Sequence, residues 1–505
     1  MTVADRGSDA GGAPEGSPYQ KFAKDAITVG LTTVLVALSG LLTLPLITRT
    51  IGADGYGIWA QSLVTVSLFA GVAGLGLPYA LTRFLPAKTD KDEIREDFYS
   101  VASLTFAVIL VVSAVVAAAA PLIARVFFDG ATNVVRFTAL IILVSSCTAV
   151  YLSLLRALRT MRVYALFMLI DAYGQVGIIA YLVLRGYGLF SLFYGVAAMK
   201  CFILVCLVVY VARRIGLRRP PFTNIREYLH FGIPTIATSV SWWVVSSSDR
   251  YVIAGFLGTA SVGIYSAGSN LGNVLFMVIG VMWLVLPPTL SKLYDEGRTG
   301  ELAVHMSYSL KYFLLLAIPF VVGAAVLAEP VLRLFTNSDI IASQGHPVVP
   351  LIAASILIYG TNAVVAQSLH MAKKTSIVGF VWMGAALANL VLNLILVPTL
   401  GIIGSAISSL VAYSLALALT SYFSFKEVKF PIDGVFVLKS LVASGAMAAV
   451  VWILDPTTSS GTVIAVLCGI AVYGLALVLL RGIRRDEIAF FNGLLRKRDM
   501  PGGDQ

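Results

Sequence analysis

Apolar runs of about 18 or more residues recur along this chain from residue 28 to residue 480. Each is long enough to cross a hydrocarbon core of about 30 Å as a helix. This one feature excludes most folds, because inside a bilayer every backbone polar group must be satisfied by a helix or a closed barrel. A barrel would show short segments of alternating polarity, and the sequence has none. Composition agrees: 58% of the residues are hydrophobic and 12% charged, where soluble domains carry about 25% charged residues. The expected fold is an all-α integral membrane protein.

The runs predict fourteen helices, over about 28–50, 56–83, 98–121, 134–156, 163–185, 188–211, 229–257, 262–288, 306–328, 348–370, 376–397, 401–424, 435–454 and 462–480. Charge placement supports the count. Arg49, Arg125, Arg136, Arg185, Arg250 and Arg333 lie near the odd-numbered loops and Lys200 lies mid-helix. Every other Lys and Arg falls near the even-numbered loops or the termini. A missed helix would invert that alternation downstream, so the positive-inside rule places both termini and the even loops in the cytoplasm of a cell with a multi-pass plasma-membrane protein. The net charge of +10 then faces the anionic inner leaflet. Runs such as Arg213, Arg214, Arg218 and Arg219 read as topology signals and exclude nucleic acid as a partner. The first 18 residues are polar and rich in Gly, Ala and Ser, which predicts a disordered cytoplasmic N-terminus without a cleavable signal. Tyr19–Lys24 predicts a short interfacial helix, and 483–505 a cytoplasmic tail. The cysteines Cys147, Cys201, Cys206 and Cys468 fall in apolar runs and read as packing residues.

An internal repeat organises the rest. Ile51-Gly52-Ala53-Asp54-Gly55-Tyr56-Gly57-Ile58-Trp59-Ala60 matches Leu257-Gly258-Thr259-Ala260-Ser261-Val262-Gly263-Ile264-Tyr265-Ser266 at Gly52/Gly258, at Gly57/Gly263 and in the aromatic Trp59/Tyr265. Pro78–Arg83 answers Pro287–Lys292, and Ser153–Thr160 answers Ser368–Thr375. The unit is six helices, so both copies insert in the same orientation, as parallel repeats related by an axis along the membrane normal. The expected organisation is an N-lobe over 19–215 with helices 1–6 and a C-lobe over 216–425 with helices 7–12. Helices 13 and 14, over 426–482, lie outside the repeat.

Three stretches carry a family likeness: Leu44-Pro45-Leu46-Ile47-Thr48-Arg49 running to Gly55-Tyr56-Gly57; Phe231-Gly232-Ile233-Pro234 with Ser248-Asp249-Arg250-Tyr251 and Val262–Gly268; and Asn393–Pro398 with Leu400–Ala406. The chain resembles the polysaccharide and oligosaccharide flippases of the multidrug, oligosaccharidyl-lipid and polysaccharide exporter superfamily, which also holds the lipid II flippase. The resemblance covers the first 425 residues or so. It implies a MATE-like two-lobed fold and transport, from the cytoplasmic to the outer leaflet, of an oligosaccharide carried on a polyprenyl phosphate or pyrophosphate. It also implies contact with membrane lipids and with the glycosyltransferases or polymerase that make and use the substrate.

Ionisable groups deep in apolar spans are costly and mark cavities or partners. Arg250 is expected to face the central cleft and Asp249 to pack between helices, since neighbours in a helix point about 100° apart. Arg49, near the outer end of helix 1, snorkels or binds an anion, and Arg83, at the inner end of helix 2, marks topology or meets the phosphate on entry. Lys200 and Asp171 differ in depth by roughly 6 Å, which allows a structural ion pair; alternatively Lys200 binds an anionic head group or Asp171 takes up a proton. Gln175 is one turn from Asp171 and completes its polar face. Two or three cations in a cleft would suit a pyrophosphate. Trp242, Trp243 and Tyr173 are either packing residues or faces for sugar rings. Gly445, Gly461, Gly469 and Gly474 in the last two helices are candidates to shape a groove for the lipid tail. No cofactor is expected, and coupling would run through a proton, sodium or the membrane potential, with Asp171 and Asp249 as the deep acidic groups. No nucleophile–base set or phosphate-binding loop points to an enzyme. A multidrug exporter of the same superfamily is the alternative; it typically carries a deep acidic residue in helix 1, and this chain has none there.

Overall fold

The computed structural model of the chain describes residues 18–482. The expected tails, 1–18 and 483–505, lie outside the described residues apart from Pro18. Among the described residues there are α-helices and two short 3-10 turns but no strand. The helices of the first lobe are α1 Pro18–Ala73, α2 Leu77–Phe84, α3 Lys91–Ala118, α4 Ala120–Phe127, α5 Thr132–Ala157, α6 Met161–Leu184 and α7 Leu189–Ile215. Those of the second are α8 Ile225–Ser247, α9 Asp249–Gly272, α10 Phe276–Asp295, α11 Thr299–Thr336, α12 Asp339–Gly345, α13 Val348–Val365, α14 Gln367–Met371, α15 Thr375–Leu400 and α16 Ile402–Glu427. Last come α17 Gly434–Leu454 and α18 Ser459–Leu479, which pack on each other and, mainly, on α11.

Among the described residues, twelve helical stretches are long and apolar enough to cross a membrane. Two are too long for one crossing: Ile27–Ala73 has 47 residues and Ile225–Asp295 has 71. At 1.5 Å per residue they would measure about 70 and 105 Å, against a core of about 30 Å. The first breaks at Gly52 (φ 81°, ψ −169°) and the second at Gly258 (φ 80°, ψ 175°). This backbone region is open essentially to glycine alone. Gly52 and Gly258 hold matching positions in the sequence repeat, so the same backbone break recurs at both. Counting each long stretch as two crossings is consistent with the fourteen expected.

The two copies meet at a second pair of matched glycines. A β-carbon on Gly57 would lie 1.8 Å from the Thr259 carbonyl oxygen, and one on Gly263 would lie 2.1 Å from that of Ala53. Ala53 and Thr259 are themselves repeat partners, so the contact is reciprocal, as a local two-fold axis produces. Here α1 packs on α9 more extensively than any other two helices pack. Apolar packing continues across the lobe boundary, with Ile264 and Ala267 of α9 buried among Leu44, Phe128 and Val135 of the first lobe.

The seam near the even-numbered loops is polar instead. Asp97 of α3 is 5% exposed. It accepts hydrogen bonds from the Tyr228 hydroxyl (2.7 Å) and the Asn224 amide (3.0 Å) of the second lobe, and pairs with Lys88 at 2.5 Å. Burial opposes the Lys88 charge, but the hydrogen bond and charge of Asp97, with Glu93, outweigh it and hold the ammonium above its usual pKa. Hydrogen bonds to a buried charge contribute about 1.5–3 kcal/mol each and do not sum. Asp97→Ala is expected to cost about 2–3 kcal/mol in denaturant unfolding of the purified protein; a loss below 0.5 kcal/mol would mean that water replaces all three donors.

Local boundaries depart from the sequence pattern in four places. Helix 2 turns at Gly74–Gly76, where Leu75 and Gly76 have φ of 49° and 66°. Helix 3 breaks before Pro121, at the first turn of α4. Helix 9 runs on past 328 to Thr336, and α12 occupies 339–345 within what remains of the expected outer loop. Tyr19–Lys24 continues into α1 instead of forming a separate helix.

Candidate functional site

A cavity of 510 Å³ lies on the seam between the lobes, walled by α1 and α6 on one side and by α9, the 3-10 turn Asn273–Leu275 and α10 on the other. Tyr56 and Trp59 descend into it from the stretch after the Gly52 break, which turns this part of α1 inward. Across from them stand Asn270 and Asn273, and Asp171 and Gln175 contribute from α6. The Asn270 amide donates to the Tyr56 hydroxyl oxygen at 2.6 Å, a direct bond between the lobes. A second cavity of 660 Å³ is walled by α11, α17, α18 and the faces of α1, α9 and α13 beside them. Its lining is apolar except for Thr462 and Tyr473, and of the four glycines expected to shape a groove only Gly469 lines it. Leu41 and Val274 line both cavities, so the partly polar cavity and the apolar one abut.

The residues singled out from sequence separate into three groups. Asp171 and Lys200 come together, with the Lys200 ammonium donating at 3.2 Å to both carboxylate oxygens. Asp171 lines the central cavity and Lys200 sits behind it; their side chains are 31% and 15% exposed. Gln175 lines the same cavity, one turn along. Tyr173 points elsewhere: its hydroxyl donates to the Leu35 carbonyl at 3.0 Å.

Asp249 and Arg250 require a correction. The two do not face apart, and Arg250 does not line the large cavity. The guanidinium folds back onto the neighbouring carboxylate, with Arg250 Nη1 to Asp249 Oδ1 at 3.1 Å, and both residues are buried. The Tyr265 hydroxyl donates to Asp249 Oδ2 at 2.5 Å, Arg250 Nε reaches the Ser266 hydroxyl at 3.3 Å, and the guanidinium lies 5.6 Å from the Tyr265 ring centroid. The helix is interrupted at Ser248, directly before the pair. What remains beside them is a crevice of 20 Å³, room for about one water.

Arg49 and Arg83 stand outside the cavity. Arg49 donates to the Leu334 carbonyl at 2.7 Å, tying α1 to the end of α11, and Arg83 is exposed at the end of α2. Trp242 is one ring of an aromatic cluster with Phe276, Tyr359 and Trp382, at centroid distances of 5.1–6.3 Å. Trp243 donates to the Ser67 hydroxyl at 3.0 Å across the seam. None of the expected cations is therefore among the residues that line the central cavity. Tyr56, Trp59, Asn270 and Asn273 were not singled out. The available signal was the repeat itself, which sets the polar Tyr56 against the apolar Val262.

Comparison with known proteins agrees with this architecture. The chain is 22% identical over 282 residues to the probable low-salt glycan biosynthesis flippase Agl15 of Haloferax volcanii, covering 55% of this chain and 59% of that one. It thus spans less than two thirds of the length of this curated relative. Among solved structures, the lipid II flippase MurJ in an inward closed conformation superposes with a TM-score of 0.72 at 20% identity, covering 90% of this chain and 99% of that one. An inward-facing multidrug resistance MATE family transporter of the MOP superfamily gives 0.63 at 14% identity, covering 81% and 97%. At these identities the two structures establish the fold, which is the two-lobed helical fold expected. The MatE family model matches residues 234–395. The model of the polysaccharide biosynthesis protein family matches residues 22–294, more than half of the chain, and the chain belongs to that family.

Proposed function

We propose that the chain is a transporter, not an enzyme, and flips a polyprenyl-phosphate- or pyrophosphate-linked oligosaccharide from the cytoplasmic to the outer leaflet of the plasma membrane. The observation that carries this reading is the junction of the two cavities at Leu41 and Val274. A lipid-linked glycan has one polar and one long apolar part, and the two spaces match them: the head group enters the seam while the polyprenyl chain stays along α11, α17 and α18. The name of the Haloferax relative points the same way. Both termini face the cytoplasm in this reading, which the distribution of Lys and Arg supports. Transport runs by rocking of α1–α7 against α8–α16, with the Gly52 and Gly258 breaks as matched flexure points. An inside-negative potential favours outward movement of an anionic carrier by about 2.3 kcal/mol per charge per 100 mV, and a proton or sodium ion exchanging at Asp171 would reset the empty transporter. Glycosyltransferases supply the substrate on the inner face, and a polymerase or ligase consumes it outside.

The test is depletion of the protein in its native host. The expected result is accumulation of a complete lipid-linked oligosaccharide that stays inaccessible to an added impermeant glycosidase. Loss of its synthesis instead would assign an enzymatic role and refute the proposal.

A further inference from the structure

Resting on that reading, we infer that the central cavity takes a glycan free of acidic sugars. The cavity offers amides from Asn270, Asn273 and Gln175, the Tyr56 hydroxyl and the Trp59 ring. Amides and hydroxyls can each both donate and accept, as sugar hydroxyls and acetamido groups require. Among the described residues no Lys, Arg or His lines it, and its one charged lining residue is Asp171. Lys200 neutralises that carboxylate from behind, with the smaller exposure of the two. Arg250, the other deep cation, spends its charge on Asp249. A uronate in the cavity would meet the Asp171 carboxylate with no cation on its own side, and an unpaired charge away from bulk water is strongly disfavoured.

The experiment uses the full chain in liposomes, with two fluorescent tetrasaccharides on one polyprenyl pyrophosphate, one neutral and one carrying a glucuronate. In parallel, saturation-transfer NMR competes the two free tetrasaccharides on the detergent-purified protein. The expected result is at least tenfold preference for the neutral glycan in both assays. Asp171→Asn, which leaves Lys200 as the nearest charge, is expected to cut that preference at least fivefold, and Lys200→Met is not. Equal or better handling of the uronate by the unsubstituted chain overturns the inference while leaving the flippase reading in place. Neutral-selective binding without transport of either lipid sinks the flippase reading and keeps the cavity's selectivity. Binding and transport of neither refute both.

Discussion

Asp249→Ala is expected to destabilise the protein by about 3–5 kcal/mol, the range for removing one partner of a buried ion pair. The carboxylate holds three donors: the Arg250 guanidinium at 3.1 Å, the Arg250 backbone N–H at 2.8 Å and the Tyr265 hydroxyl at 2.5 Å. Asp249 is 4% and Arg250 9% exposed. Without the carboxylate, Arg250 keeps only the Ser246 carbonyl, the Ser266 hydroxyl and the face of Tyr265. These dipoles do not replace a counter-charge where water has little room. The penalty comes from the stranded cation, so Asp249→Asn combined with Arg250→Met is expected to recover at least half of the loss. Unfolding in mixed detergent micelles reads both numbers. A loss under 1 kcal/mol for Asp249→Ala would mean that water reaches the guanidinium.

The second large effect is at the crossing of α1 and α9. Gly57→Val is expected to cost about 2–3 kcal/mol and to abolish transport. The added β-carbon would meet the Thr259 carbonyl at 1.8 Å, and that neighbour is backbone, so relief requires the helices to separate. Separation would also stretch the nearby Asn270–Tyr56 bond between the lobes. Gly71→Val is the control, since nothing lies within 4 Å of a β-carbon there; it is expected to change stability by less than about 0.5 kcal/mol. Equal effects at both sites would remove the crossing as the cause.

These two sites also show what the sequence exposed and what it hid. The lengths of the apolar runs set the fold class, because a bilayer fixes how long a helix must be. The breaks at Gly52 and Gly258 fall where junctions between apolar runs were expected, and the repeat printed the same pattern at both. Depth allowed the meeting of Asp171 and Lys200 without requiring it, since rise per residue is constant and a lysine arm spans the difference. Direction around a helix was not legible in the same way. The 100° rule sends Asp249 and Arg250 apart, yet a long guanidinium arm folded back next to an interruption at Ser248. Arg49 lay near the end of its helix as expected, but its partner is a carbonyl, and carbonyls carry no sequence signal. The cavity wall carried no such signal, because Tyr56, Asn270 and Asn273 are neutral and in an apolar span it is charge that stands out.

The most direct measurement is reconstitution of the purified chain in liposomes loaded symmetrically with a fluorescent, neutral polyprenyl-pyrophosphate oligosaccharide. After an impermeant quencher removes the outer-leaflet signal, the account predicts a further loss as inner-leaflet lipid crosses, faster by at least tenfold than in protein-free vesicles and absent with Gly57→Val. A trace no faster than protein-free vesicles, together with efflux of organic cations from the same preparation, would contradict it and make the chain a multidrug exporter.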